Sequence, residues 1–332
     1  MRKYAGKILL SFLTLMLVCG LEVRAQDQPT GEEPEYTTDD VGADQDTDNT
    51  EGDGEQAQDD PEQTDSDARY TYQDFVYSYN KNDDSISIVK YTGTSQTVTV
   101  PAQIDGKPVR YMGEVFYKNK KLRKVILPEG ILVVSGFDGC KNLKEVNIPK
   151  SCTRIDNFAF ADCKNLAKLT LPGGLQEIGD FAFYNCSKLK TVRIPNTVRT
   201  IEQDAFCGCA ALQKVTLPSR LTAIACETFK GCKALKSITI PSRVKVIEDQ
   251  AFENCKKLTK VKLPGALTSI GYKAFKGCGL KSITIPGKVT YVGANAFSGC
   301  TKLKKITVKS TKIAEMGAKH FSGIDKEGRK GF

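Results

Sequence analysis

LPGGLQEIGDFAFYNCSKLKTVRIP, running from Leu171 to Pro195, decides the fold, because its apolar positions return in the segments before and after it. Pro128, Pro149, Pro172, Pro195, Pro218, Pro241, Pro264 and Pro286 each close a short apolar run, at intervals of 21 to 23 residues. A fixed period in the twenties is the mark of a solenoid. Within one unit every position has a physical role. Leu189, Val192 and Ile194 read as an inward-facing strand, with Arg193 pointing out by the period-two rule. Pro195 ends that strand, having no N–H to give to a ladder. Val198 and Ile201 turn inward again on the next side. Ala205 permits close approach and Phe206 fills the coil. Stacking the units aligns Phe116, Phe137, Phe160, Phe183, Phe206, Phe229, Phe252, Phe275 and Phe297 in one spine. A single coil cannot bury its own core, so each draws its stability from its neighbours.

Working outward, residues 69–100 read as an N-terminal β cap. Tyr72 to Tyr79 is rich in aromatics, Asn80 to Asp84 is a turn, Ser85 to Val89 is a strand, and Thr97 to Val100 leads into the first coil. The expectation is a small antiparallel sheet covering the exposed first edge.

The strand Leu-x-x-[Val/Ile]-x-[Ile/Leu]-Pro and the turn Ile-Gly-x-x-Ala-Phe-x-x-Cys, as in Ile178 to Cys186, resemble the BspA-like, or Treponema-type, leucine-rich repeat family. Val100 to Val109 also resembles that family's first coil. The resemblance covers roughly residues 97–324 and implies a repeat solenoid: a leucine-rich-repeat-type parallel β-sheet along one side, with short turns and irregular coils on the other. It also implies a secreted or surface-attached bacterial protein that binds other macromolecules, often host proteins. Two departures stand out. The unit around Gly136, Phe137 and Asp138 lacks the Ala-Phe pair, and Phe321 to Lys326 starts a capping segment that Gly331 and Phe332 do not complete. The expected organisation is a signal peptide (1–25), an acidic disordered linker (26–68), the cap (69–100), about nine repeats of ~23 residues (101–324) and a short tail (325–332).

Arg2, Lys3 and Lys7 precede an apolar stretch from Ile8 to Leu21 that is short for a membrane span, and Val23-Arg24-Ala25 offers a cleavage site after Ala25. A lipoprotein signal ending at Cys19 is the rival, weakened by Val18 before the cysteine. The chain of 332 residues carries a net charge of +9, but that figure conceals two opposed blocks. Residues 26–68 hold 17 acidic residues and no basic one, whereas residues 69–332 hold 44 basic and 21 acidic residues. The acidic block has too little apolar surface to order itself. It reads as a solvated spacer, or as a tail that screens the basic domain or competes for its ligand.

Eight cysteines belong to the repeat: Cys140, Cys163, Cys186, Cys209, Cys232, Cys255, Cys278 and Cys300. One per coil at a fixed place predicts a column of buried free thiols, since cysteine packs as a small hydrophobe. A metal column would need closer, mixed ligands. Cys152 takes an inward core position. Cys207 and Cys226 fall on turns of adjacent coils, where a disulfide stays open as an alternative.

By register the outward strand positions are Asn147, Thr170, Arg193, Thr216, Thr239, Lys262, Thr284 and Thr307, the candidate binding face. Lys190, Lys214, Lys236, Lys260, Lys281 and Lys304 flank the same strands as a candidate basic ridge, with Lys144, Lys168 and Lys305 alongside. Such a surface fits an extracellular protein, such as a host matrix or surface protein, or a polyanionic glycan. Nucleic acid is disfavoured by the leader and by the lack of a nucleic-acid fold motif. An enzyme has little support. There is one histidine, His320, no phosphate loop and no nucleophile elbow, and no cofactor or metal is implied. The expected function is a secreted or cell-surface, adhesin-like binding protein. The alternative is a wall-associated scaffold held by attraction to a polyanion.

Overall fold

The structure, a computed structural model, describes residues 68–313. The leader, all of the acidic block but Ala68, His320 and the C-terminal segments lie outside the described residues.

The described chain winds as a parallel-strand solenoid behind an N-terminal sheet. That sheet contains β1 (Tyr70–Tyr72), β2 (Phe75–Asn80), β3 (Ser85–Tyr91), β5 (Gln103–Ile104) and β6 (Lys107–Met112), in the order β1-β2-β3-β6-β5. The β1–β2, β2–β3 and β5–β6 pairings are antiparallel and β3–β6 is parallel. It therefore reaches past residue 100, while β4 (Thr97–Thr99) leaves it and pairs with the first strand of the coils. Asp105 fastens the sheet by accepting the hydroxyls of Tyr77 (2.7 Å) and Tyr79 (3.1 Å).

Each coil has three sides. The first side carries the Leu-x-x-Val-x-Ile-Pro strands: β7 (Lys124–Ile126), β9 (Glu145–Val146), β12 (Thr191–Arg193), β14 (Lys214–Thr216), β16 (Ser237–Thr239), β18 (Lys260–Lys262), β20 (Ser282–Ile285) and β22 (Lys305–Val308). Strands β4, β7 and β9 form one ladder, and β12–β14, β16–β18 and β20–β22 form three parallel pairs. The coil at Lys168–Thr170 has no strand here.

The second side was expected to be irregular, yet it too is laddered. Two-residue strands β8 (Val133–Val134), β10 (Arg154–Ile155), β11 (Glu177–Ile178) and β13 (Thr200–Ile201) pair in parallel. Strands β15 (Ala223–Ile224), β17 (Val246–Ile247), β19 (Ser269–Ile270) and β21 (Tyr291–Val292) do the same. Where a glycine follows the isoleucine, as at Gly179 and Gly271, it has a specific cause. A Cβ on Gly179 would lie 2.4 Å from Asn157 Oδ1, which accepts the Asp180 N–H of the next coil at 2.9 Å.

The third side has no strand but keeps a backbone ladder. The N–H groups of Phe158, Phe160 and Asp162 donate to the carbonyls of Asp180, Ala182 and Tyr184 in the following coil, each at 2.8 Å. Left-handed residues make this possible by turning successive N–H groups along the solenoid. One such column is Phe158, Phe181, Asp204, Glu227, Gln250, Lys273 and Asn295, with φ between 54° and 59°. A second precedes the cysteines and uses Gly139, Asp162, Asn185, Gly208, Gly231, Asn254, Gly277 and Gly299. The second uses residues that tolerate this conformation; the first uses several that do not, at about 1 kcal/mol each, offset by the ladder.

Inside, the nine spine phenylalanines are fully buried, with successive ring centroids 5.0–5.7 Å apart. Tyr91 and Phe75 continue the column into the N-terminal sheet. The eight repeat cysteines are buried and unbridged. Each Sγ–H donates to the spine carbonyl of the preceding coil, as from Cys186 to Phe160 at 3.2 Å and Cys278 to Phe252 at 3.0 Å. The same carbonyl accepts its own coil's cysteine N–H. A thiol thus fills the space and gives a buried acceptor a second, weak donor.

Candidate functional site

The first side's outward positions fall where the period-two rule places them. Val192, Val215, Ile238 and Ile283 are buried, whereas Arg193, Thr216, Thr239, Lys262 and Thr284 are exposed and Thr307 is half-exposed. Arg193 pairs in register with Thr216, Thr239 with Lys262, and Thr284 with Thr307. Thr170 is exposed but sits in the coil without a strand. Asn147 is committed to the backbone: its Oδ1 accepts the Leu127 N–H and its Nδ2 donates to the Leu127 carbonyl, both at 2.8 Å. It caps the neighbouring coil and is a poor candidate for ligand contact.

The flanking lysines do not form one ridge. Register puts Lys214 opposite Thr191 and Lys260 opposite Ser237, while Lys190, Lys236, Lys281 and Lys304 stand one position earlier. The two adjacent columns read, coil by coil, Ala167-Lys168, Lys190-Thr191, Gln213-Lys214, Lys236-Ser237, Thr259-Lys260, Lys281-Ser282 and Lys304-Lys305. Lysine alternates between columns until the last coil, which carries it in both. Like charges directly opposite on neighbouring strands repel, and alternation doubles their separation within a column to about 9.6 Å. From Lys168 onward these columns and the outward column contain no carboxylate. Among the described residues the strand-flanking ion pair lies earlier, Lys124 to Glu145 at 2.9 Å. A depression of about 490 Å³ opens on this side, lined in part by Lys262, Thr284 and Lys309.

A second cluster, on the third side, escapes the outward-position reading. Asp204, Glu227 and Glu253 are buried. Lys230 Nζ bonds Glu227 (2.8 Å) and Gln250 (2.9 Å) and lies 3.8 Å from Glu253, while Lys276 reaches Glu253 at 3.2 Å. Gln250 Nε2 donates to Glu227 at 2.8 Å. Burial, and then the Glu227 charge, push the Asp204 carboxyl up to about 7. Burial and Asp204 also raise the Cys207 thiol far above its usual range. One ligand atom each from Asp204, Cys207 and Glu227 lies within 4.8 Å of the others. A metal there would need a thiolate, and the ammonium of Lys230 already rests on Glu227, so the donor set fits an internal ion network better. The sequence signal was available: positions 204, 227 and 250, and 207, 230, 253 and 276, recur at 23 residues. Cys207 and Cys226 are half-buried and unbridged.

The family described as BspA type leucine rich repeat region matches in six copies, over residues 110–236 and 222–327. Among solved structures, a leucine-rich repeat protein from Bacteroides ovatus is 25% identical with a TM-score of 0.65, covering 73% of this chain and 71% of its own. A leucine rich cell surface protein from Faecalibacterium prausnitzii is 30% identical (TM-score 0.46; 74% of this chain, 55% of its own). The T. pallidum leucine rich repeat protein is 28% identical (TM-score 0.49; 71% and 91%). None of the curated proteins matches the sequence.

Proposed function

Because the chain belongs to the BspA-type leucine-rich repeat family, we propose that it is an extracellular binding protein, adhesin-like, that holds an acidic macromolecule on the strand side of its coils. The observation that carries this reading is the run of seven coils from Lys168 to Thr307, whose three outward columns hold lysine, arginine, threonine, serine and one glutamine and no carboxylate. A cationic surface with short hydroxyl side chains between the charges attracts a polyanion at long range and offers hydrogen bonds at contact. Among the described residues no helix is long and apolar enough to cross a membrane. Export rests on the leader reading of residues 1–25, and the N-terminal residue of the exported protein, expected to be Gln26, tests it. The chain acts by binding and without turnover.

The test is binding of the full mature chain to matrix proteins, heparin and polyglutamate over a salt series. Retention of one protein ligand at high salt supports shape-specific recognition. Equal loss of every polyanion with rising salt would instead favour a wall-associated scaffold held by charge.

A further inference from the structure

The third side contains a missing rung. From Ile155 onward, the spine phenylalanine of each coil lies five positions after the end of its second-side strand, as from Ile155 to Phe160 and from Ile178 to Phe183. In the coil before, the phenylalanine comes only three positions after the strand, from Val134 to Phe137, although Val134 pairs in register with Ile155 and Phe137 stacks on Phe160. The shortcut is drawn tightly against the preceding coil. A Cβ on Gly136 would lie 2.2 Å from the Gly113 carbonyl oxygen and 2.8 Å from the Val115 nitrogen. The shortened coil therefore has two residues, Ser135 and Gly136, where the next has four, with Phe158 among them.

The consequence is visible in exposure. Phe158 and Phe181 occupy the same register and stack face to face, 4.8 Å apart with planes inclined by 1°. Phe181, which also meets Tyr184 edge-on, is 8% exposed, whereas Phe158 is 40% exposed. Phe158 thus presents an aromatic ring to solvent at the shortened coil, where its stacking partner Phe181 is largely covered.

The neighbouring charges say what fits. Asp138 belongs to the shortened coil itself, and its half-buried carboxyl is raised by burial and by Asp162, with Glu114 adding in the same sense and Lys118 opposing. The Lys118 ammonium lies 4.5 Å from the Tyr117 ring centroid. The chain's own Arg154 is held by Asp156 at 3.0 Å and Glu177 at 3.5 Å. By register Glu114 stands two residues before spine Phe116 as Phe158 stands two before Phe160, and Asp138 follows Phe137, so two carboxylates fall in the coils that precede the Phe158 ring. We propose that the missing rung beside Phe158 receives the guanidinium of an arginine carried by a protein partner, stacked on the ring and paired with Asp138 and Glu114. A guanidinium is planar, one rung thick and able to stack and pair at once; an ammonium pairs but does not stack. This contact is separate from the cationic strand side and stands whether or not that side binds a polyanion.

The experiment labels the phenylalanines of the full mature chain with fluorine and follows the Phe158 signal, assigned with Phe158→Leu, during titration with acetyl-arginine-amide. Acetyl-citrulline-amide, of the same shape without charge, and acetyl-lysine-amide are the controls. The Phe158 signal is expected to move saturably with arginine, to respond about fivefold less readily to either control, and to respond about fivefold less readily in Asp138→Asn. A Phe158 signal that stays fixed, or that moves equally with arginine and citrulline, overturns the proposal. If Phe158→Leu fails to fold, the same signal is assigned by its loss of intensity in Phe158→Tyr, and the Asp138→Asn comparison decides.

Discussion

At the residue scale the most informative group is Asp204. Its carboxyl is raised from the ordinary value to about 7 by burial and by Glu227, so the folded state holds a proton that the unfolded chain releases near 4. The folded state therefore binds more protons between those values, and its contribution to stability is full at low pH and is lost as pH rises toward 7. Asp204→Asn should raise the thermal midpoint at pH 8 while leaving it nearly unchanged at pH 4, read by circular dichroism. The thiols give a second prediction. Burial pushes Cys140 and Cys300 up to about 12 and Cys152 to about 11. Ellman's reagent at pH 8 should find at most Cys207 and Cys226 in the folded mature chain, and all 11 of its cysteines after denaturation. The cysteine column was readable because one small residue recurs at one place. The Asp204–Glu227–Lys230 network shows in the sequence only as a 23-residue recurrence, which does not reveal burial, because carboxylates at turn positions usually face water. Here the left-handed backbone carries them into a partly closed side.

At the element scale, the strand positions were readable from alternation and from the terminating prolines, and the outward residues emerged where alternation put them. The second-side ladders were not, since two residues are too few to show a period. The left-handed column holding Phe158, Glu227 and Lys273 has no preferred residue type to betray it. The alternating lysines yield a test. Exchanging the pair as Lys190→Thr with Thr191→Lys places three lysines in adjacent positions of one column, at 168, 191 and 214. Stability should fall by about 0.5–1 kcal/mol in low salt and recover in high salt, as seen in urea unfolding. The spine gives a larger effect. Phe206→Ala removes a fully buried ring stacked on both sides and should cost about 3–5 kcal/mol in the same measurement.

At the scale of the described solenoid, the ring spine, the thiol column and the third-side backbone ladder run from coil to coil, while the strand ladders of the other two sides are interrupted, so coils stabilise one another more than themselves. A break should therefore spread to its neighbours: the Phe206→Ala chain should lose protection from hydrogen exchange in the coils at Phe183 and Phe229 before the N-terminal sheet does. The N-terminal sheet was only partly readable. Its aromatic strands were plain, but the parallel pairing of β3 with β6 depends on a contact that no local pattern announces.

The lysine alternation has a further consequence for how such a chain can grow or shrink. Every buried column repeats with one coil, but the charge pattern repeats only with two. Excising a single coil from the middle would rejoin the spine, the thiols and the strands, yet bring two lysines face to face across the seam. Excising two would leave no trace. By its core this protein counts in ones and by its surface in twos, so parity, rather than length, is what a duplication or loss of repeats would have to respect.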